Sequence, residues 1–125
     1  MDATPASPPP AAWQVICLCA EWCGVCREWN GVFEELAATH PQLQFDWVDV
    51  EDEVDAMGDQ DIETFPTLLV AQGSRARFLG PVQPSAAQVG RLLDSLLQDP
   101  AGARDAGPEA HALLHRLQTG VLPKR

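Results

Sequence analysis

Apolar and polar positions follow different rhythms along this chain, and each rhythm predicts an element. The unbroken apolar run Val15-Ile16-Cys17-Leu18-Cys19-Ala20 has the length of a strand covered on both faces. It predicts a buried parallel strand over 13–20. From Cys23 to about Thr39 the spacing turns helical. Cys26, Trp29, Phe33 and Leu36 recur at i, i+3, i+7 and i+10, Val32 and Ala37 widen the stripe, and His40-Pro41 ends it. Leu43 to Val50 alternates, with Leu43, Phe45 and Trp47 on one side of a second strand. The acidic Glu51-Asp52-Glu53 suits the start of a short helix over roughly 53–60. Thr64-Phe65-Pro66-Thr67 is a turn into a third strand, Leu68 to Ala71, and Gln72-Gly73-Ser74 is a hairpin turn. Arg75 to Leu79 pairs back as an edge strand that Gly80-Pro81 stops. Ser85 caps a last core helix with Val89, Leu92, Leu93, Leu96 and Leu97 on one face.

The order β-α-β-α-β-β-α predicts an α/β fold: a central mixed sheet of about four strands flanked by helices on both faces. The first two connections are long enough for right-handed parallel crossovers, and the last strand pair is a hairpin. The domain spans 13–98. The proline-rich residues 1–12 read as a flexible arm. Residues 99–125 read as a linker and C-terminal tail, in which Ala110, Leu113, Leu114 and Leu117 are spaced for a short helix. Whether that helix docks is open at this level. There is no internal repeat.

Composition narrows the partners. Hydrophobic residues make up 46% of 125 positions, enough for one core. The net charge of −10 argues against nucleic acid and anionic membrane surfaces as partners, and it also serves solubility. No apolar run approaches the roughly 18 residues of a membrane span. Residues 1–10 lack the charged start and apolar centre of a secretory signal, so a cytoplasmic location is expected, and a monomer.

All four cysteines fall between positions 17 and 26, which is not how a disulfide scaffold distributes them. Cys23-Gly24-Val25-Cys26 stands where a strand, a turn and a helix N-terminus meet. Only a thiolate attacks a disulfide, and the unpaired N–H donors and partial positive charge of a helix N-terminus stabilise an anionic sulfur. Cys23 is therefore the candidate attacking sulfur, and Cys26, one helical turn inward, the candidate resolving sulfur. Gly24 lets the backbone turn and leaves the approach open. Trp22 reads as a partly exposed platform beside the pair. Cys17 and Cys19, two apart in a strand, are expected to be reduced and buried small hydrophobes.

Metal ligation is the competing use of these sulfurs. Cys17, Cys19, Cys23 and Cys26 supply four within ten residues. Two lie in a buried strand that does not wrap a tetrahedral ion, so no metal is expected. His111 and His115 share a helical spacing but lack a third ligand, and read as surface. The carboxylates between Glu51 and Glu63 keep no calcium-loop spacing and read as a solvated face. Glu21 and Asp49 are the carboxylates nearest by sequence that could assist proton transfer, with Glu21 reading rather as a solvated charge.

With these residues in view the chain resembles the thioredoxin family. The resemblance rests on Ala20-Glu21-Trp22-Cys23-Gly24-Val25-Cys26, Val48-Asp49-Val50, Phe65-Pro66-Thr67-Leu68-Leu69-Val70, Gly73 and Gly80, and covers about 13–98. It implies a thioredoxin fold and thiol–disulfide exchange, with Cys23 as nucleophile and Cys26 as resolving thiol. It also implies a cis Phe65–Pro66 peptide against the cysteine pair, with the Phe65 backbone free to pair with an extended substrate. Three departures stand out. Val25 replaces the usual proline between the cysteines. The family's buried aspartate falls at Cys17 and its lysine partner at Trp47. The first strand and helix of a full thioredoxin have no counterpart here.

The expectation is a protein-disulfide reductase that needs no prosthetic group. It would act on protein disulfide substrates and draw electrons from a thioredoxin-reductase-like or other dithiol donor. The alternative is a redox-weak binding module of the same fold, motivated by the lost carboxylate.

Overall fold

A computed structural model describes residues 13–20, 24–58, 66–98 and 105–121. The arm over 1–12, Glu21, Trp22, Cys23, the end of the predicted second helix, the turn residues Thr64 and Phe65, and most of the predicted linker lie outside the described residues.

Strand β1 (Trp13–Cys19) occupies the middle of a four-stranded sheet of order β2-β1-β3-β4. Its flanks are β2 (Gln44–Asp49) and β3 (Thr67–Gln72), and β4 (Arg75–Pro81) closes the far edge. β1 pairs parallel with β2, setting Val15 opposite Phe45 and Cys17 opposite Trp47. It pairs antiparallel with β3, setting Ile16 opposite Leu69. The sheet is thus mixed, as the pattern predicts, but only the first connection is a parallel crossover. β3 runs against β1, so the second connection returns the chain in the opposite direction. A connection's length permits a crossover without dictating one, and strand direction was not readable from it.

Period-two geometry sorts the apolar run of β1 onto two faces. Val15, Cys17 and Cys19 join Leu68 and Val70 of β3 under helices α1 (Gly24–Thr39) and α3 (Ala86–Leu97). Trp29, Phe33 and Leu36 of α1 and Val89, Leu93 and Leu96 of α3 fill this layer. Leu43, Phe45 and Trp47 lie on it together, as their alternation predicts. Ile16 and Leu18 point the other way. They meet Leu69, Ala71, Val48 and Ala76 beneath α2 (Val54–Met57) and α4 (Pro108–Gly120). A strand with both faces covered has no polar position to spare, which explains the unbroken run.

α4 is the predicted C-terminal helix, and it docks. Ala110, Leu113, Leu114 and Leu117 are each at most 1% exposed and complete the second layer. Polar contacts fix its placement. Gly107, at φ 95°, turns the chain into the helix, and Pro108 occupies the first turn, where its missing N–H costs nothing. Asp105 accepts from the Gly107 N–H at 3.0 Å and bonds His111 Nε2 at 2.9 Å and Arg75 Nε at 3.3 Å. Further along, Gln118 Nε2 donates to Gln14 Oε1 and the Gly73 carbonyl.

α2 is shorter than the predicted helix. Gly58 follows it at φ 59°, in the left-handed region that glycine adopts without strain. Arg116 of α4 donates to the carbonyls of Ala56 at 2.6 Å and Met57 at 3.0 Å, capping the end of α2. A Cβ at Gly58 would meet that guanidinium at 3.0 Å. On the opposite layer, the Ser85 side chain accepts from the Gln88 N–H at 3.3 Å, the predicted cap of α3.

Candidate active site

The carboxyl end of β1 and the first turn of α1 bring the sulfur chemistry together. Cys19 is the last residue of β1, and Cys26 lies in the first turn of α1. Cys26 faces the sheet because it shares the helical stripe of Trp29 and Phe33; it is 1% exposed. The two Cα atoms are 6.0 Å apart, and Cys19 and Cys26 form a disulfide.

Cys19 is buried, as expected, but the bond corrects the expectation that it is reduced. Sequence spacing weighs Cys19 only against Cys17, its neighbour in the strand. The fold lays α1 back over the end of β1, and the side chain with the parity of Val15 and Cys17 then meets the inward face of the helix. Cys19 is the sulfur at this site that spacing alone misses. Its signal was its parity: it falls on the same side of β1 as the positions α1 covers.

Cys17 is the free cysteine among the described residues, and it is buried. Its Sγ lies 3.8 Å from Cys19 Sγ. Burial pushes its thiol from the ordinary 9.0 up to about 12, because a thiolate there would be stripped of water. The Trp29 indole N–H pulls the other way, more weakly. That N–H reaches no partner by hydrogen-bond geometry, so burial decides. Cys17 is therefore a protonated thiol at neutral pH. Register sets it opposite Trp47, at the position where the resembling family carries a buried aspartate. Among the described residues no carboxylate is buried; the buried polar side chains are Gln14, Thr67 and Arg77.

A cleft of about 260 Å³ reaches Cys26 from the side of β2, lined by Arg27, Asn30, Trp47, Asp49 and Asp52. Of the two candidate carboxylates, the structure brings Asp49 to this cleft, while Glu21 lies outside the described residues. Asp49 Oδ1 also accepts from the Glu51 N–H at 2.9 Å. A basic and two acidic groups thus surround an opening beside a buried sulfur.

The remaining candidates divide. Gly24 opens α1, and a Cβ there would meet only Arg27 Nη2 at 3.9 Å, ordinary contact. Val25 is 43% exposed, an apolar side chain presented to solvent beside Cys26. Pro66 is buried, and its carbonyl accepts from the Val82 N–H at 3.1 Å. Thr67 pairs with Leu18, so Pro66 arrives at the Cys19 end of the strand pair. Gly24, Val25, Cys26 and Pro66 are thereby gathered at one end of the sheet. Cys23, Trp22 and Phe65 lie outside the described residues.

Known proteins resemble this chain in sequence and in fold. The sequence model of the family described as Thioredoxin matches residues 10–88. A putative thioredoxin 2 of Streptomyces coelicolor is 34% identical over 83 residues, covering 66% of this chain and 56% of that protein. Thioredoxin H4-2 of Oryza sativa subsp. japonica is 36% identical over 56 residues, covering 45% of this chain and 42% of that protein. The chain thus spans roughly half the length of these relatives. In fold it is similar to Fasciola hepatica thioredoxin, with a TM-score of 0.62 at 21% identity over 69% of this chain and 82% of that one. The germline-specific thioredoxin Deadhead of Drosophila melanogaster superposes with a TM-score of 0.61 at 17% identity, over 69% of this chain and 82% of the other.

Proposed function

The chain belongs to the thioredoxin family, and from that premise we propose that it is a thiol–disulfide oxidoreductase that reduces protein disulfides through Cys23 and Cys26. The supporting observation is the placement of Cys26. It sits in the first turn of the helix that follows the central strand, turned inward, and its sulfur forms a disulfide, here with Cys19. In this reading the Cys23 thiolate attacks a client disulfide and the bond between the client sulfurs breaks. A mixed disulfide forms and the client's leaving sulfur takes up a proton. Cys26 then attacks Cys23, releasing the client as a dithiol and leaving the protein oxidised. A separate dithiol reductant restores it. The exposed Val25 and bare Gly24 present an apolar, unobstructed surface to the client, and the resemblance gives the Phe65 backbone, before Pro66, the part of pairing with an extended segment. The protein works as a monomer in the reducing conditions of a cytoplasm.

Replacing Cys26 with Ser tests the order of events. The variant is expected to accumulate covalent adducts with client proteins on Cys23, while wild type reduces the disulfides of insulin. Absence of both adducts and insulin reduction overturns the reading.

One observation favours the second reading, a binding module with slow turnover. The position beside the disulfide that would hold a proton-transferring carboxylate is the protonated thiol of Cys17. If that reading holds, wild type binds clients without reducing them.

A further inference from the structure

Cys26 can hold one disulfide at a time, yet two sulfurs have a claim on it. Cys23 lies three residues before it, at the spacing of a dithiol motif. Cys19, at the end of β1, is the sulfur it is bonded to here. We propose that Cys26 exchanges partners, and that Cys19 is a third redox cysteine which takes over the bond from Cys23 after a client has been reduced. The proposal rests on the reductase reading, which supplies the oxidised Cys23–Cys26 pair.

The step needs no further oxidant. Cys19 loses its proton and its sulfur attacks Cys26 Sγ. The Cys19–Cys26 bond forms, the Cys23–Cys26 bond breaks, and Cys23 leaves as a thiolate. The proton lost by Cys19 goes to the leaving sulfur or to water in the cleft beside Cys26. One disulfide is present before and after, so the step is an isomerisation with no net oxidation.

Three features of the fold support it. Cys19 and Cys26 are brought within bonding distance by the packing of α1 on β1, with Cα atoms 6.0 Å apart. Cys17 places its S–H against Cys19 Sγ at 3.8 Å, a donor that favours negative charge on Cys19. Cys17 itself stays protonated, which keeps that donor in place.

The consequence is a division of states. With Cys26 bonded to Cys19, the oxidised equivalents sit in a buried bond and Cys23 is again a free thiol. Such a protein still forms a mixed disulfide with a client, but Cys26 no longer resolves it. Oxidation converts a reductase into a covalent holder until an external dithiol reduces Cys19–Cys26.

The test counts thiols on the full-length chain in glutathione buffers of graded potential, after acid quench and alkylation. Cys23→Ser retains three cysteines. Two of its three thiols are expected to disappear together on oxidation, with Cys17 remaining alkylatable after denaturation. In oxidised wild type, mass-spectrometric mapping is expected to find Cys19 linked to Cys26 and Cys23 alkylated. Cys19→Ala is expected to link Cys23 to Cys26 and to show no alkylated Cys23. Retention of all three thiols by Cys23→Ser overturns the proposal, as does a wild-type map holding Cys23–Cys26 alone. Loss of insulin reduction by wild type overturns the reductase reading instead. The thiol map of Cys23→Ser needs no client, so the two failures are distinguishable.

Discussion

Raising the pH should expose Cys17 as a stability switch. Its thiol is pushed from 9.0 to about 12 in the folded protein by burial. In the unfolded chain the same thiol is in water and ionises near its ordinary value. A group whose folded pKa stands above its unfolded value holds its proton in the folded state after the unfolded chain has released it. Its stabilising contribution is complete below pH 9 and is lost as the pH rises from 9 toward 12. The slope approaches about 1.4 kcal/mol per pH unit, so between pH 9 and 11 the loss is about 2.5 kcal/mol. The chain suits the measurement, because it has no tyrosine and Lys124 is its one lysine. Urea unfolding at pH 7.5, 9, 10 and 11 reads the effect. Cys17→Ala is the comparison, with both proteins in a Cys23→Ser background and Cys19–Cys26 oxidised. The alanine variant is expected to differ by a constant offset below pH 9 and to converge on or pass the parent above pH 10. Parallel decline of the two, within about 0.5 kcal/mol, would refute the claim that burial holds Cys17 protonated.

Three further outcomes follow from the packing. Leu114→Ala should destabilise by about 3 kcal/mol, since Leu114 is 0% exposed on the buried face of α4, and lower Tm by about 10 °C. His115→Ala, exposed on the same helix, should stay within about 0.5 kcal/mol, and equal effects in calorimetry would deny that α4 docks. Ser85→Ala should cost about 1 kcal/mol in urea unfolding through loss of the cap on the Gln88 N–H; no change would mean that solvent satisfies that donor equally well. Asp105 is held below the usual carboxylate range chiefly by the Gly107 N–H, with His111 and Arg75 adding to it. Its contribution is present above pH 4 and is lost as the pH falls through its lowered value. Asp105→Asn should therefore flatten the acid limb of the stability profile, and an unchanged acid midpoint would remove the role given to the Gly107 turn.

What was legible in the chain was whatever one element carries by itself. The alternation of Leu43, Phe45 and Trp47, the stripe of Cys26, Trp29, Phe33 and Leu36, and the cap at Ser85 need no neighbour to be read, and all three stand where the pattern puts them. Relations between elements were less legible. The direction of β3 depends on how the chain returns after α2, and the spacing of apolar residues is the same either way. The bond from Cys19 to Cys26 joins a strand end to a helix start across seven positions. It follows from the angle at which α1 lies on β1, a property of side-chain packing that no spacing encodes. The cysteine cluster was visible as chemistry, but its pairing was not.

The second face of the sheet ties that chemistry to the C-terminal helix. β1 is the central strand, so Ile16 and Leu18 need cover as much as Val15 and Cys17 do on the other side. α2 offers four residues, with Met57 as its buried side chain, too little to close the face. α4 supplies the rest through Ala110, Leu113, Leu114 and Leu117, and its Arg116 also holds the end of α2. Each fully buried leucine contributes on the order of 2 kcal/mol of transfer free energy, against a typical domain stability of about 5–15 kcal/mol. Removing α4 would therefore loosen β1 along its length, and Cys19 sits at the end of β1. A chain cut before Asp105 is expected to lose the fixed distance between Cys19 and Cys26 before it loses α1 itself. The exchange of disulfide partners should fail in such a chain even where Cys23 and Cys26, three residues apart in sequence, still pair.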